Sequence, residues 1–474
     1  MTLILFVSLY LAVTVAIGVY AATRVSSARD FAIAGQRLPL IMVITTTFAT
    51  WFASETVLGV PAKFMEGGLT ETTEDPYGAG LGLVVVGMFF ARLLYRQNLL
   101  TIGDFYRRRY DRSVEMFSSA VILLSYLGWV AAQITALGLV FSSLTDGALT
   151  SVQGMVLGTA IVLVYTALGG MWSVAIADLL QMFVIVGGLL AIAVLAGDLA
   201  GGVGPVVAAA ADRDLFRFFP AGGLVDWLFW ISASMTLLIG SIPQQDVFQR
   251  VMAARDEDTA VRGPVIGGIA YMLFASVPMF IGVAALIVMP EAELLLGEDA
   301  ERIIPDLVLG HMPLVLQVIF FGALLSAIMS TASATLLAPS TTFVENILRN
   351  LVALPEDRVL PAMRLTLVVF SFVVLAYAIA MDGTPIYDLV AKAYQFPVVG
   401  AFWPLAVGLY GSRASTRSAI LSIVFGMGTW AVLDFTPLGE VCPDVLGGFV
   451  MGGVGIWLGM RLWPATATGA PATA

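Results

Sequence analysis

Stretches of about 20 mainly apolar residues, the length an α-helix needs to cross roughly 30 Å of hydrocarbon, recur thirteen times along the chain. They lie near 2–23, 38–60, 76–95, 114–144, 152–169, 172–197, 223–243, 263–289, 313–348, 361–381, 386–410, 415–434 and 442–462. A water-solvated globule has no use for such a pattern, because its helices bury one stripe and wet the other. Of 474 residues, 59% are hydrophobic and only 12% charged, against about 25% charged in soluble domains. The expected fold class is therefore an all-α polytopic membrane protein of about thirteen transmembrane helices. A single transmembrane domain is expected over 1–462, followed by an Ala/Thr/Pro/Gly-rich tail over 463–474 that lacks an apolar face and is expected to be disordered.

Charge placement orients the helices. The first stretch lacks a basic leader and is followed by Arg24, Arg29 and Arg37, which marks an uncleaved first span with its N-terminus outside. Alternating from there, eighteen arginines fall in loops on one face, with the densest run at Arg107, Arg108, Arg109 and Arg112. The opposite face holds four basic residues, Lys63, Arg213, Arg217 and Arg302. Basic loops stay in the cytoplasm, so the C-terminus is expected inside and the protein in the cell (inner) membrane. The net charge of -10 then sits mainly outside, in clusters such as Glu291, Glu293, Glu298, Asp299, Glu301 and Asp306.

One cysteine, Cys442, and one histidine, His311, exclude an internal disulfide, Cys/His metal sites and Ser/His/Asp or Cys/His catalysis. No enzyme activity and no catalytic residue are expected. Charges inside spans are costly and mark function unless they pair or reach water. Three occur by these boundaries: Glu55, Asp178 and Lys392.

Two spans have polar, irregular centres. The stretch 38–60 contains Thr50, Ser54, Glu55 and Thr56 and ends in Gly59-Val60-Pro61; five helices later, 223–243 contains Ser232, Ser234 and Thr236 and ends in Gly240-Ser241-Ile242-Pro243. Interrupted helices at matching places in two halves point to a transporter's binding site. Five crossings per half is an odd number, so the halves, about 38–197 and 223–410, must be inverted relative to one another. The segment 321–342 carries hydroxyls at Ser326, Ser330, Thr331, Ser333 and Thr335, and Ala327, Ser330, Thr331 and Ala334 share one helical face. Such a face serves either close helix packing or the ligation of a small alkali cation by neutral oxygens.

The order and spacing of five short motifs narrow the choice. They are Asp30-Phe31 through Gly35-Gln36-Arg37; Thr101-Ile102-Gly103-Asp104-Phe105; Tyr165 to Val174 leading to Asp178 and Gln181; Phe248-Gln249-Arg250-Val251; and Ser326 to Thr331. With them the chain, from about residue 5 to 460, resembles the sodium/solute symporters, the family of sodium-coupled proline, galactose, sialic acid and choline carriers. The resemblance implies thirteen helices with a LeuT-type five-plus-five inverted repeat and flanking helices. It further implies a main sodium site made by the carbonyls of Ala49, Phe52 and Ala327 with the hydroxyls of Ser330 and Thr331. Asp178, Ser330 and Ser333 would hold a second sodium, although Ala334 stands where sialic acid carriers have a serine. Substrate would meet Trp51, Glu55, Thr56, Trp129, Gln133, Trp230, Gln244, Tyr394 and Gln395. Ala49-Thr50-Trp51 with Trp129 resembles the choline branch, while Gln244 replaces an aromatic of that branch.

The expected activity is sodium-coupled import of a small organic solute by alternating access, with Na⁺ as coupling ion, no cofactor, no nucleic acid, the lipid bilayer as surroundings and a monomer sufficient. Proton coupling through Glu55 or Asp178, and a transporter-like sensor, are the competing readings.

Overall fold

The computed structural model describes residues 2–465 apart from 146 and 412; most of the tail expected to be disordered, 466–474, lies outside the described residues. Among the described residues the chain is helical throughout, with no strand beyond an isolated bridge between Leu38 and Ala254. Helices occupy all thirteen apolar stretches. We number those that matter here α1 (Thr2–Ala22), α2 (Leu40–Trp51), α3 (Glu55–Thr70), α4 (Thr73–Tyr95), α5 (Arg112–Leu144), α6 (Ser151–Leu199), α7 (Leu224–Gly240), α8 (Gln245–Ala253), α9 (Glu257–Val288), α10 (Leu314–Leu351), α11 (Glu356–Ala380), α12 (Ile386–Gly400), α13 (Phe402–Tyr410), α14 (Thr416–Asp434) and α15 (Asp444–Leu462).

Among the described residues, eight helices are individually long and apolar enough to cross a bilayer, and ten spans result if each of two bent pairs counts once. The bent pairs are α2 with α3, turning by 56°, and α7 with α8, turning by 43°. These are the two interruptions expected from sequence. The first break falls at Phe52, whose backbone leaves the helical region (φ -89, ψ 77), and the chain resumes as a wide π-helical turn over Glu55–Gly59. The second falls at Ser241-Ile242-Pro243, where Pro243 has no N–H to continue the ladder. Leu38 and the 253–255 segment exchange backbone hydrogen bonds of 3.0 Å, tying the start of α2 to the end of α8.

The long run α6 is interrupted at Gly170 (φ 50, ψ -143). A Cβ there would lie 2.5 Å from the Phe31 ring and 2.6 Å from its carbonyl oxygen, so the site demands glycine both for backbone angle and for space. The broken helices occupy the centre: α2 packs on α6, α9 and α10, and α7 on α4 and α12. α14 and α15 pair on the periphery.

Candidate sodium and substrate site

Where α2 loses its ladder, the ends of its carbonyls face α10. The Thr331 hydroxyl reaches them, 2.6 Å from the Thr50 oxygen and 3.3 Å from that of Ala49. One residue earlier, Ser330 donates to Asp178 Oδ1 at 2.6 Å, and Thr46 of α2 donates to Oδ2 of the same carboxylate. Ala49, Phe52, Ala327, Ser330 and Thr331 are all essentially shut off from solvent. The facial spacing in α10 thus points its hydroxyls at the break in α2, while Asp178 projects from α6 into the same seam. Ser333 turns back on its own helix, donating to the Ser330 carbonyl at 2.8 Å.

Above the break three rings meet. Trp51 lies with its centroid 5.2 Å from Trp129 and 5.5 Å from Tyr394, and Trp129 and Tyr394 are 5.2 Å apart at 64°. They come from α2, α5 and α12. The Trp51 Nε1 and the Tyr394 hydroxyl are buried without a hydrogen-bond partner, which leaves two polar atoms within an aromatic cluster free to meet a guest. Glu55 is held beside it by Trp129 Nε1 at 3.1 Å, Gln133 Nε2 at 2.7 Å and Ser54 Oγ at 3.3 Å. Thr56 donates to the Trp51 carbonyl at 3.0 Å and lies 3.0 Å from the Tyr271 hydroxyl. Gln244, in the second break, donates to Ser125 at 2.8 Å.

Two expected substrate residues are elsewhere. Trp230 sits about 15 Å of helix rise before the break of α7, packed with Phe218, Phe219 and Trp227 and donating to the Phe218 carbonyl. Gln395 is turned roughly 100° around α12 from Tyr394 and accepts from Trp430 of α14 at 2.9 Å. Lys392, counted as an intramembrane charge, is exposed on the outside of α12.

Besides Glu55 and Asp178, three further buried charges lie here that the sequence boundaries left outside the spans: Arg250, Asp246 and Asp75. Arg250 is 1% exposed; it donates to the Thr46 carbonyl at 3.2 Å and to Thr50 Oγ1, and faces Asp246 at 3.6 Å. It thereby fastens α8 to α2 just below the break. Asp246 also accepts from Tyr126 at 2.7 Å. Asp75, one residue before the apolar stretch at 76–95, is buried and accepts from Tyr271. The available signal was the Phe248-Gln249-Arg250-Val251 motif, which marked the neighbourhood without revealing that its arginine points inward.

A cavity of about 750 Å³ opens between residues 59–66, 135–151, 297–309 and 382–388, on the side expected outside from the arginine count. Glu301 on its wall accepts the Ile386 amide at 2.6 Å. Burial, with the Asp388 carboxylate adding, pushes its carboxyl up to about 7 against the pull of that amide.

Over residues 31–426 the chain matches the model of the Sodium:solute symporter family. It is 26% identical over 416 residues to high-affinity choline transporter 1 of Caenorhabditis elegans, covering 85% of this chain and 70% of the relative. It is 27% identical over 444 residues to the sodium/sialic acid symporter NanT of Aliivibrio fischeri (89% and 85%) and 25% identical over 450 residues to the sodium/pantothenate symporter of Haemophilus influenzae (91% and 90%). In fold it resembles a Na⁺-coupled sialic acid symporter solved in a substrate-bound outward-open state, with a TM-score of 0.86 at 20% identity over 99% of both chains. The nucleobase-cation-symport-1 transporter Mhp1 is more distant, with a TM-score of 0.57 at 14% identity over 91% of this chain and 93% of that one. A match running through both broken helices and the hydroxyl face of α10 shows that the chain belongs to the sodium:solute symporter family.

Proposed function

We propose that the coupling sodium binds where α2 breaks against α10, held by the carbonyl oxygens of Ala49, Phe52 and Ala327 and the hydroxyls of Ser330 and Thr331. The observation that carries this is Thr331 lying across the gap on the Ala49 and Thr50 oxygens; a cation there would draw the Thr331 hydroxyl off the Thr50 oxygen and be ligated by it together with the Ala49 oxygen. Neutral, hard oxygens suit Na⁺. Asp178 with Ser330 and Ser333 is the second, more polar pocket of this seam and the candidate for another ion. The solute binds at Trp51, Trp129 and Tyr394, with Glu55, Thr56, Gln133 and Gln244 around them, and crosses inward with sodium by alternating access. Thirteen crossings with the N-terminus outside, and inverted halves over 38–197 and 223–410, agree with the two breaks five helices apart and with a cavity on the acidic face.

Sodium acts only through its different affinity for the two states. By touching α2 and α10 together it favours the state in which they are joined. At 100 mV each inward Na⁺ adds about 2.3 kcal/mol to the drive. Ser330→Ala combined with Thr331→Ala is expected to raise the half-saturating sodium concentration of solute uptake into proteoliposomes at least tenfold, about 1.4 kcal/mol. Unchanged sodium dependence would remove the site.

A further inference from the structure

Between the outer cavity and the three rings, Glu55, Glu74, Asp75, Leu237, Tyr387, Val390 and Ala391 line one narrow cleft, closed tightly enough in this state to leave no room for a water. Three carboxylates face one small space, and no Lys or Arg lines it. Two buried or half-buried cations of the surrounding helices are already committed: Lys63 pairs with Asp388 at 3.2 Å and Arg250 with Asp246. Asp75 is only 3% exposed, and while its Oδ1 accepts from Tyr271, its Oδ2 has no partner. Glu74 Oε2 is likewise unpartnered. Leaving such acceptors buried and unmatched is costly, so they call for a donor that arrives from outside.

We propose that Glu55, Glu74 and Asp75 form a subsite for the charged nitrogen of an organic cation that carries N–H donors, a protonated amine, whose apolar part rests on the Trp51, Trp129 and Tyr394 rings. The inference rests on the solute site proposed above and names its substrate class. An anionic solute would meet three carboxylates. A quaternary ammonium is attracted to the rings by cation–π contact, yet it has no hydrogen to give to Asp75 Oδ2 or Glu74 Oε2. A protonated amine satisfies both kinds of wall, and charge-assisted N–H bonds to carboxylate are roughly twice as strong as neutral ones. The approach is consistent: seven carboxylates line the outer cavity against Lys63 and Arg302, and a cleft of one sign raises the local concentration of the opposite charge. Tyr387 borders both spaces, so the cleft adjoins the outer cavity at that residue.

The test is thermal stabilisation of the purified full-length protein in sodium by ethanolamine, N-methylethanolamine, N,N-dimethylethanolamine and choline, with ethylene glycol as the neutral control. The three amines that keep an N–H are expected to half-saturate at about tenfold lower concentration than choline, and the glycol to give no shift. Asp75→Asn and Glu74→Gln are each expected to reduce that preference to about threefold or less; Glu74 is half-buried, so its variant is expected to fold even if that of Asp75 does not. Choline binding as well as the amines, no shift with any amine, or a preference unchanged in the variants overturns the proposal. Stabilisation by sodium alone, measured in parallel, separates the cases: its absence in the unsubstituted protein is a failure of the sodium site, whereas its presence without amine preference is a failure of this subsite only.

Discussion

At the scale of single residues, the proposed site is a set of side chains whose partners come from distant parts of the chain. Trp51 joins α5 and α12 through its ring contacts, yet its side chain makes no hydrogen bond. Removing it would open the proposed solute pocket and leave the carbonyls of Ala49 and Phe52 in place. Trp51→Ala is therefore expected to weaken solute binding by tenfold or more while changing the half-saturating sodium concentration less than threefold, read by thermal shift with sodium and solute titrated separately; equal losses would place the ring in the sodium site. Trp51, Glu55, Trp129, Gln133 and Tyr394, expected together from the resemblance, do come together in the structure. Trp230 and Gln395 were misplaced because a helical position fixes distance along the axis and angle around it, and both depend on boundaries that sequence resolves poorly. Arg250 and Asp75 were hidden for the opposite reason. A charge at the edge of an apolar stretch reads as a loop residue, and only packing shows that it faces inward.

At the scale of elements, both breaks could be read from polar centres followed by Gly and Pro, and the junction within α6 falls at Gly170, between the stretches 152–169 and 172–197. The Thr101 to Phe105 motif gains a physical reason. Thr101 and Asp104 form a capping box for the helix Ile102–Arg109. Any Cβ on Gly103 would fall within 2.2 to 2.6 Å of the Asn346 side chain. Asn346 in turn donates to Asp104 and to Glu115, each at 3.0 Å, and Arg107 meets Glu115 at 3.1 Å. This network closes the face opposite the outer cavity by joining the Ile102–Arg109 helix, α5 and α10. Asn346→Ala is expected to speed amide hydrogen exchange over Ile102–Arg109 about tenfold, a local loss of about 1.4 kcal/mol, with little change in α14 and α15. Exchange unchanged in that helix would show that the clamp does not hold it.

At the scale of the whole molecule, the alternation of arginine-rich and acidic loops gave an expected orientation for the helices, and it carried no sign of the cavity. Its wall is assembled from four segments spread between residues 59 and 388, each too short to carry a pattern of its own. With sodium at the proposed site, one cavity, one pair of breaks and one seam join in a single chain of cause: sodium bridging α2 and α10 would hold the outer cavity open, and its loss would release the rocking that exposes the other side. The most direct test is the distance across that cavity, measured by double electron–electron resonance between spin labels at Ser143→Cys and Glu298→Cys, both on its wall, with the exposed Cys442 replaced by serine. Sodium, compared with potassium, is expected to enrich the longer distance, and Ser330→Ala with Thr331→Ala to abolish that response at the same sodium concentration. A distribution that ignores sodium, or that responds equally in the double variant, would contradict the account.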